Sequence, residues 1–289
     1  MLLLAAIGLA ITFGVMGVIN MAHGEMIMLG AYAAYVVSAI VPQLPAARLD
    51  RRLSRRRGAG GVSVRRGGRR RAGAQRDPFL YGRPLETLLA TWGVSLILQQ
   101  AVRSIFGSPN KEVSNPSWMT GGFDPIGGFT VTWSRLYIII FCFVVLGALA
   151  LILNRTRFRA AHARRHPEPS HMASVMGIRT ARVDALTFGL GSGIAGMAGV
   201  ALSQIGNVSP NLGTIYIVDS FLVVVFGGVG NLLGTLVGAL SLGIVNKFLE
   251  PVAGAILGKI VVLVAIILFI QRRPRGLFAL KGRTAEAEA

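Results

Sequence analysis

Long runs of apolar residues, broken by short polar segments, extend along most of the chain. As a helix, a run of about 18 or more apolar residues is long enough to cross a hydrocarbon core of about 30 Å. Such runs lie near residues 1–19, 85–106, 135–153, 183–204 and 255–270, and a shorter run covers 26–41. The pattern predicts an all-α membrane protein, built as a polytopic helical bundle.

The apolar region at residues 217–247 predicts a broken or re-entrant helix. At about 1.5 Å per residue, it is long for one crossing of the membrane and short for two. Its centre, residues 227–234, is rich in glycine. Glycine permits a turn, and non-helical backbone is tolerated at membrane depth where protein or water surrounds it. We expect the break to lie in this segment.

Basic residues indicate which loops face the cytoplasm. Arginines cluster at residues 155–182 and 272–283, whereas residues 107–134 carry a single lysine. Because basic loops stay in the cytoplasm, we place the first two segments inside and the third outside. The helices between the two inside segments must then cross an even number of times, so residues 217–247 contribute either two crossings or none.

Small residues recur at four-residue spacing, which allows helix backbones to approach closely in lipid. We predict that these glycines are helix-packing sites rather than catalytic residues: Gly189, Gly193, Gly230, Gly234 and Gly238.

Polar residues interrupt the first long apolar stretch. Asn20, His23 and Glu25 lie between the run at 1–19 and the run at 26–41. Because an ionisable group near hydrocarbon costs about 2.5 to 3.5 kcal/mol on insertion scales, it persists mainly where it faces protein or water. We predict that this group lines a polar pathway; the alternative is that His23 and Glu25 form a structural pair.

A second group of candidates consists of hydroxyl and amide side chains. Thr91, Ser95 and Gln99 recur every four residues and therefore share one face of a helix, and Asn231 lies at the glycine break. We predict that all four lie on the same pathway. Hydroxyl groups in membrane helices often bond to their own backbone, and Asn231 could instead cap a turn.

Composition limits the other functions that the chain could have. It is 53% hydrophobic and 15% charged over 289 residues, which is too apolar for an ordinary soluble domain. The single cysteine, Cys142, excludes an internal disulfide and a cysteine-based metal cluster. The net charge of +18 does not indicate nucleic acid, because more than half of it lies at residues 47–77, where no aromatic residues are interleaved. We predict membrane lipid as a partner, and neither nucleic acid, a metal nor a cofactor.

Two glycine patterns of nucleotide-binding enzymes do not fit. Residues 191–196 match G-x-G-x-x-G but lie inside an apolar span, where the required strand is absent from the pattern. The ATP-binding motif G-x-x-x-x-G-K-[ST] is not present, because Ile260 follows Lys259 where a hydroxyl is needed. We therefore predict that the chain is not an enzyme.

Several segments resemble the permease subunits of the branched-chain amino acid and urea ABC importers. These are residues 8–30 with the core Asn-Met-Ala-His-Gly-Glu, residues 227–243, and residues 273–277. Residues 79–100 look closer to the urea branch. The resemblance implies a single transmembrane permease domain over residues 1–289, in a bacterial cytoplasmic (inner) membrane.

The resemblance also implies a function and partners. The chain would form half of a pathway for urea or short-chain amides by alternating access; the alternative substrate is a branched-chain amino acid. Its partners would be a second homologous permease, two cytosolic ATPase subunits and an extracytoplasmic substrate-binding protein. The ATPase would dock on the cytoplasmic segment that contains Met172, Ala173, Met176, Gly177, Ile178 and Arg179.

Two blocks depart from the family pattern. Residues 43–78 are rich in arginine and glycine where the family carries apolar membrane sequence, and residues 159–171 replace part of the coupling segment. This composition is typical of GC-rich DNA translated out of frame. We predict compensated frameshifts, which would allow a non-functional copy; the alternative is a real basic loop.

Overall fold

The computed structural model describes residues 1–16, 20–40, 84–114, 119–126, 129–155, 180–274 and 276–278. The described residues form eight helices: α1 Leu2–Met16, α2 His23–Ile40, α3 Pro84–Phe106, α4 Trp133–Arg155, α5 Thr180–Ser203, α6 Leu212–Gly227, α7 Leu232–Ala253 and α8 Ala255–Arg272. A small antiparallel sheet pairs β1 Gly122–Ile126 with β2 Phe129–Thr132. The predicted all-α membrane fold is confirmed.

Three of these helices are long and apolar enough on their own to cross a membrane. The qualifying stretches are Trp133–Ile152 in α4, Ala185–Ser203 in α5 and Leu232–Ala253 in α7. Helices α1 and α6 contain shorter apolar stretches, Leu2–Gly14 and Leu212–Gly227. The described part of the chain is therefore a multi-pass helical bundle with segments of unequal length.

The predicted break in the glycine-rich region lies between α6 and α7. Gly228 and Gly230 have φ angles of +105° and +81°, in the region that glycine adopts more readily than other residues. A Cβ atom added to Gly238 would lie 3.0 Å from the Val223 carbonyl, so α7 returns along α6 in the opposite direction. The two legs reach beyond residues 217–247 and are about 24 Å and 33 Å long, so only α7 is long enough to cross the membrane on its own.

Helices α2 and α3 run in the same direction. Glu25, near the start of α2, contacts Ser95 in the middle of α3, and the Tyr32 ring lies 4.8 Å from the Phe106 ring at the end of α3. The last turn of α2 and the first turn of α3 therefore lie at opposite ends of the bundle.

The centre of the bundle is packed backbone to backbone. A Cβ atom on Gly8 of α1 would lie 2.8 Å from the Gly191 carbonyl of α5. A Cβ atom on Gly199 of α5 would overlap the Ile27 carbonyl of α2. Helices α1, α2 and α5 thus approach each other closely because glycine lies at each crossing.

Three of the glycines that were predicted as packing sites lie at close approaches. A Cβ atom on Gly14 of α1 would lie 2.6 Å from the Gly230 Cα atom. Gly234 faces the Gly227 carbonyl across the α6–α7 hairpin, and Gly238 faces α6 one turn later.

Gly189 and Gly193 are different. A Cβ atom on either one would meet no described atom within 4 Å. They line an open apolar groove of about 530 Å³ between α4 and α5. Packing against another part of the described chain is therefore not observed at these two residues, and packing against a partner stays a prediction.

Several segments singled out in the sequence lie outside the described residues. These are the arginine-rich block at 43–78, the block at 159–171, and the predicted ATPase-coupling residues Met172, Ala173, Met176, Gly177, Ile178 and Arg179.

Candidate substrate pathway

The polar break before α2 brings three polar residues into the interior. The Asn20 Oδ1 atom accepts a hydrogen bond from the Ala22 N–H at 3.0 Å, and the Asn20 carbonyl accepts one from the His23 N–H at 3.2 Å. These bonds satisfy N–H groups at the start of α2, which lack partners within the helix. Asn20, His23 and Glu25 are all buried, with 9%, 1% and 1% of their surfaces exposed.

Glu25 is the centre of a polar cluster that joins three helices. Its Oε1 atom accepts hydrogen bonds from the Ser95 hydroxyl and the Gln99 amide of α3, both at 2.8 Å. The same amide nitrogen donates to the Thr214 hydroxyl of α6 at 3.1 Å. We name Glu25, Ser95, Gln99 and Thr214 the Glu25 cluster.

The second carboxylate oxygen of Glu25 is not used. The Oε2 atom is buried and has no hydrogen-bond partner among the described residues. The first turn of α6 lies directly against the carboxyl group, since a Cβ atom on Gly213 would be 3.0 Å from the Glu25 Cδ atom. A buried acceptor without a donor is unfavourable, so a donor that reached this oxygen would stabilise it.

The polar face of α3 continues on both sides of the cluster. The Thr91 hydroxyl accepts from the Met21 N–H at 3.3 Å and donates to the Leu88 carbonyl at 3.0 Å. One turn beyond Gln99, Arg103 donates to the Asn211 side chain at 2.6 Å. The structure thus brings together the predicted residues Glu25, Thr91, Ser95 and Gln99 with the polar break before α2.

His23 faces away from the cluster. Its Nε2 atom lies 3.3 Å from the Ala5 carbonyl of α1, and its ring fills the space left by Gly8. Two residues along a helix differ by about 200° in direction, which separates His23 from Glu25. The alternative of a His23–Glu25 pair is therefore wrong for this arrangement.

Asn231 does not lie with the other candidates. Its side chain accepts hydrogen bonds from the Leu233 and Gly234 N–H groups, at 3.0 Å and 3.2 Å, and so caps the start of α7. Thr214 and Asn231 lie at opposite ends of α6, about 20 Å apart along that helix. Asn231 therefore lies apart from the Glu25 cluster, and its place on the pathway stays a prediction.

The sequence analysis missed several polar residues. Thr214 and Arg103 gave no signal, because their partners are distant in sequence. Asp219 did give one, since it is the only charged residue between 185 and 246. Its Oδ2 atom lies 2.9 Å from the Lys259 Nζ atom of α8. A second ion pair joins Lys247 and Glu250 near the end of α7, at 2.6 Å.

Metal binding has no support in the described residues. They contain no group of three His, Cys, Asp or Glu side chains arranged to hold an ion.

A buried carboxyl group, bound by hydroxyl and amide groups from other membrane helices, places this chain in the class of polytopic membrane proteins with a polar interior. A model of the family "Branched-chain amino acid transport system / permease component" matches residues 1–49 and 72–270. The chain belongs to this family of ABC importer permeases.

Curated relatives agree with the family. The branched-chain amino acid permease protein BraD of Pseudomonas aeruginosa is 28% identical over 95% of this chain and 90% of its own length. The LivH permease proteins of Salmonella typhimurium and Escherichia coli K12 are 30% identical over the same shares. No solved structure matches the chain.

These relatives are transport subunits and not enzymes, and they place the chain in the inner membrane as a multi-pass protein. Each is named for branched-chain amino acids, so the predicted closeness to the urea branch is not supported.

Proposed function

We propose that this chain forms one half of the transmembrane pathway of an ABC importer for branched-chain amino acids. The observation that carries the proposal is the Glu25 cluster, in which one oxygen of a buried carboxyl group is bonded and the other has no hydrogen-bond partner in the described part of the chain. The names of the relatives support the substrate class.

The cluster suits a pathway because its parts belong to three different helices. Ser95 and Gln99 lie on α3, Glu25 on α2 and Thr214 on α6. If these helices separate during alternating access, the carboxylate loses its donors and becomes able to accept from the ammonium group of an amino acid. The hydroxyl and amide groups supply further partners at the same level.

The remaining parts of the importer are inferred from the family. Transport needs ATP hydrolysis, and this chain lacks the phosphate-binding motif, so two cytosolic ATPase subunits would supply it. A second homologous permease would complete the pathway, and an extracytoplasmic binding protein would deliver the substrate. We place the ATPase contact at residues 172–179.

Uptake by cells tests the proposal. Cells that carry the intact operon, with and without this gene, are given labelled leucine or labelled urea. We expect leucine uptake to require the gene and to fall at least about tenfold with Glu25→Leu, since about 1.4 kcal/mol of lost interaction has that effect. Leucine uptake that is unchanged by deletion of the gene contradicts the proposal.

Urea is the second candidate substrate, favoured by residues 79–100, which look closer to the urea branch, and by the amide and hydroxyl groups of the Glu25 cluster. Loss of urea uptake alone, in the same experiment, would support this candidate.

We also propose that residues 43–78 and 159–171 arose from compensated frameshifts. Two observations support this for the first block. The family match omits residues 50–71. Helices α2 and α3 run in the same direction, and the sequence between them holds twelve arginines at 47–77, a composition unsuited to a membrane-crossing segment. The coding DNA tests it: if the other frames encode no apolar segment there, the proposal fails and a real basic loop stands.

A further inference from the structure

A cavity of about 450 Å³ lies between α6, α7 and α8, beside the first turn of α1. Its size is within the range of about 300 to 1,000 Å³ that is typical of small-molecule sites. Apolar side chains such as Leu222, Leu242 and Ile266 form much of its wall. Two ion pairs also line it, Asp219 with Lys259 and Lys247 with Glu250, together with the Asn246 amide.

Asp219 and Lys259 form an ion pair inside otherwise apolar helices. Asp219 is in the middle of α6, and Lys259 is in the second turn of α8. The exposed fractions of the two side chains are 22% and 45%, so both reach open space as well as each other. Charges within membrane helices are costly, and they are found mainly where they serve a substrate or ion pathway.

We propose that this cavity is a binding site for the zwitterion of an aliphatic α-amino acid. Asp219 would accept from the ammonium group and Lys259 would bind the carboxylate, which replaces one ion pair by two. The aliphatic side chain would lie against Leu222, Leu242 and Ile266. The inference rests on the proposed function, because it assigns a substrate site to the same importer.

The cavity and the Glu25 cluster lie on different sides of α6. Thr214 of the cluster and Asp219 of the cavity are separated by about 140° around the helix. Helix α6 therefore carries two polar sites, and the cavity is the one with both signs of charge. A neutral solute such as urea gains less from two full charges than a zwitterion does.

Filling the cavity is the most direct test. Gly243 lines it, and a Cβ atom there would meet no described atom within 4 Å, so Gly243→Leu adds bulk at a position with room for its Cβ atom. Gly147→Leu on α4 is the matched control, because its added Cβ atom also meets open space, away from the cavity. Both variants are measured in the full importer in proteoliposomes, with uptake of labelled leucine normalised to the assembled complex.

We expect Gly243→Leu to reduce leucine uptake at least about tenfold, and Gly147→Leu to leave it within about twofold. We expect the same loss from the double variant Asp219→Asn with Lys259→Gln. That variant leaves neither charge unpaired, so a merely structural ion pair would tolerate it.

A direct measurement separates binding from assembly. Labelled leucine is added to the purified importer in detergent, without the binding protein, and the retained leucine should fall in both cavity variants. The inference is wrong if Gly243→Leu and the double variant Asp219→Asn with Lys259→Gln both keep the uptake and the leucine retention of the unmodified importer. It is also wrong if phospholipid occupies the cavity and leucine does not displace it. If leucine uptake does not depend on the gene, the proposed function itself is wrong. If uptake depends on the gene but not on the cavity residues, only the inference about the cavity is wrong.

Discussion

Helices α1, α2 and α5 touch backbone to backbone, whereas α3 is attached to α2 and α6 largely through side chains. At the crossing of α2 and α5, no atom separates Gly199 from the Ile27 carbonyl. Helix α3 is held instead by Ser95, Gln99 and the Tyr32–Phe106 ring contact. Much of its remaining surface is apolar and exposed, including Leu85 at 76% and Ile105 at 73%.

The difference indicates which helices can move. Backbone contacts through glycine are short and leave no room for sliding without a clash, because packed interiors are dense. Hydrogen bonds between side chains can break and re-form with new partners, such as a substrate. We therefore predict that α1, α2 and α5 form a rigid core and that α3 is the helix that moves, and substitutions can test this prediction.

The largest effect is expected from Gly199→Leu. The new side chain would overlap the Ile27 carbonyl and approach the Ala31 nitrogen, so α2 and α5 could not keep their crossing. We expect almost no folded protein in the membrane, measured as the yield of monodisperse protein after extraction. Gly147→Leu controls for added bulk, and a normal yield of Gly199→Leu would show that the core is less rigid than stated.

A smaller effect is expected from Glu25→Leu. Ser95 and Gln99 would lose their shared acceptor, and although the Gln99 amide keeps its bond to Thr214, the buried Ser95 hydroxyl would lose its acceptor, which costs about 1 to 3 kcal/mol. The free energy of unfolding in detergent should fall by an amount of this order, while Glu25→Gln, which keeps an acceptor oxygen, should lose less. Equal losses in the two variants would mean that α3 does not depend on these hydrogen bonds.

Asn231→Ala should affect stability and not substrate handling. The substitution removes the cap of α7, which costs about 0.5 to 2 kcal/mol. Unfolding in detergent measures this loss, and the leucine concentration that gives half-maximal uptake should not change. A change in that concentration at unaltered stability would indicate that Asn231 lies on the substrate pathway.

The smallest effect is expected from Lys247→Ala. Its pair with Glu250 is 2.6 Å long, but the two side chains are 79% and 44% exposed. Exposed pairs contribute about 0 to 1 kcal/mol, so the unfolding free energy should barely change. A loss above about 2 kcal/mol would indicate that this pair is shielded by a partner.

Elements that depend on local pattern could be predicted from the sequence. The length of the apolar runs predicted the helices near residues 135–153 and 183–204, and the glycine content of residues 227–234 predicted the break at Gly228 and Gly230. The shared face of Thr91, Ser95 and Gln99 followed from helical spacing.

Contacts between distant segments could not be predicted in the same way. Periodicity does not reveal that Gln99 meets Thr214, because these residues are 115 positions apart. Four-residue spacing selected Gly189 and Gly193, but Gly191, about 200° away on the same helix, makes the close contact with α1. The two roles considered for Asn231 could not be separated, because a cap and a pathway residue have the same polar signature in sequence.

The chain segment after α8 has a mechanical consequence. The N–H groups of Leu277 and Phe278 bond to the Phe226 and Gly227 carbonyls at the end of α6, at 2.9 Å and 3.2 Å. Gly276 lies against Gly228, where any side chain would collide with the backbone. A force applied to residues 276–278 would therefore act directly on the last turn of α6, and through that helix on Asp219 and Thr214.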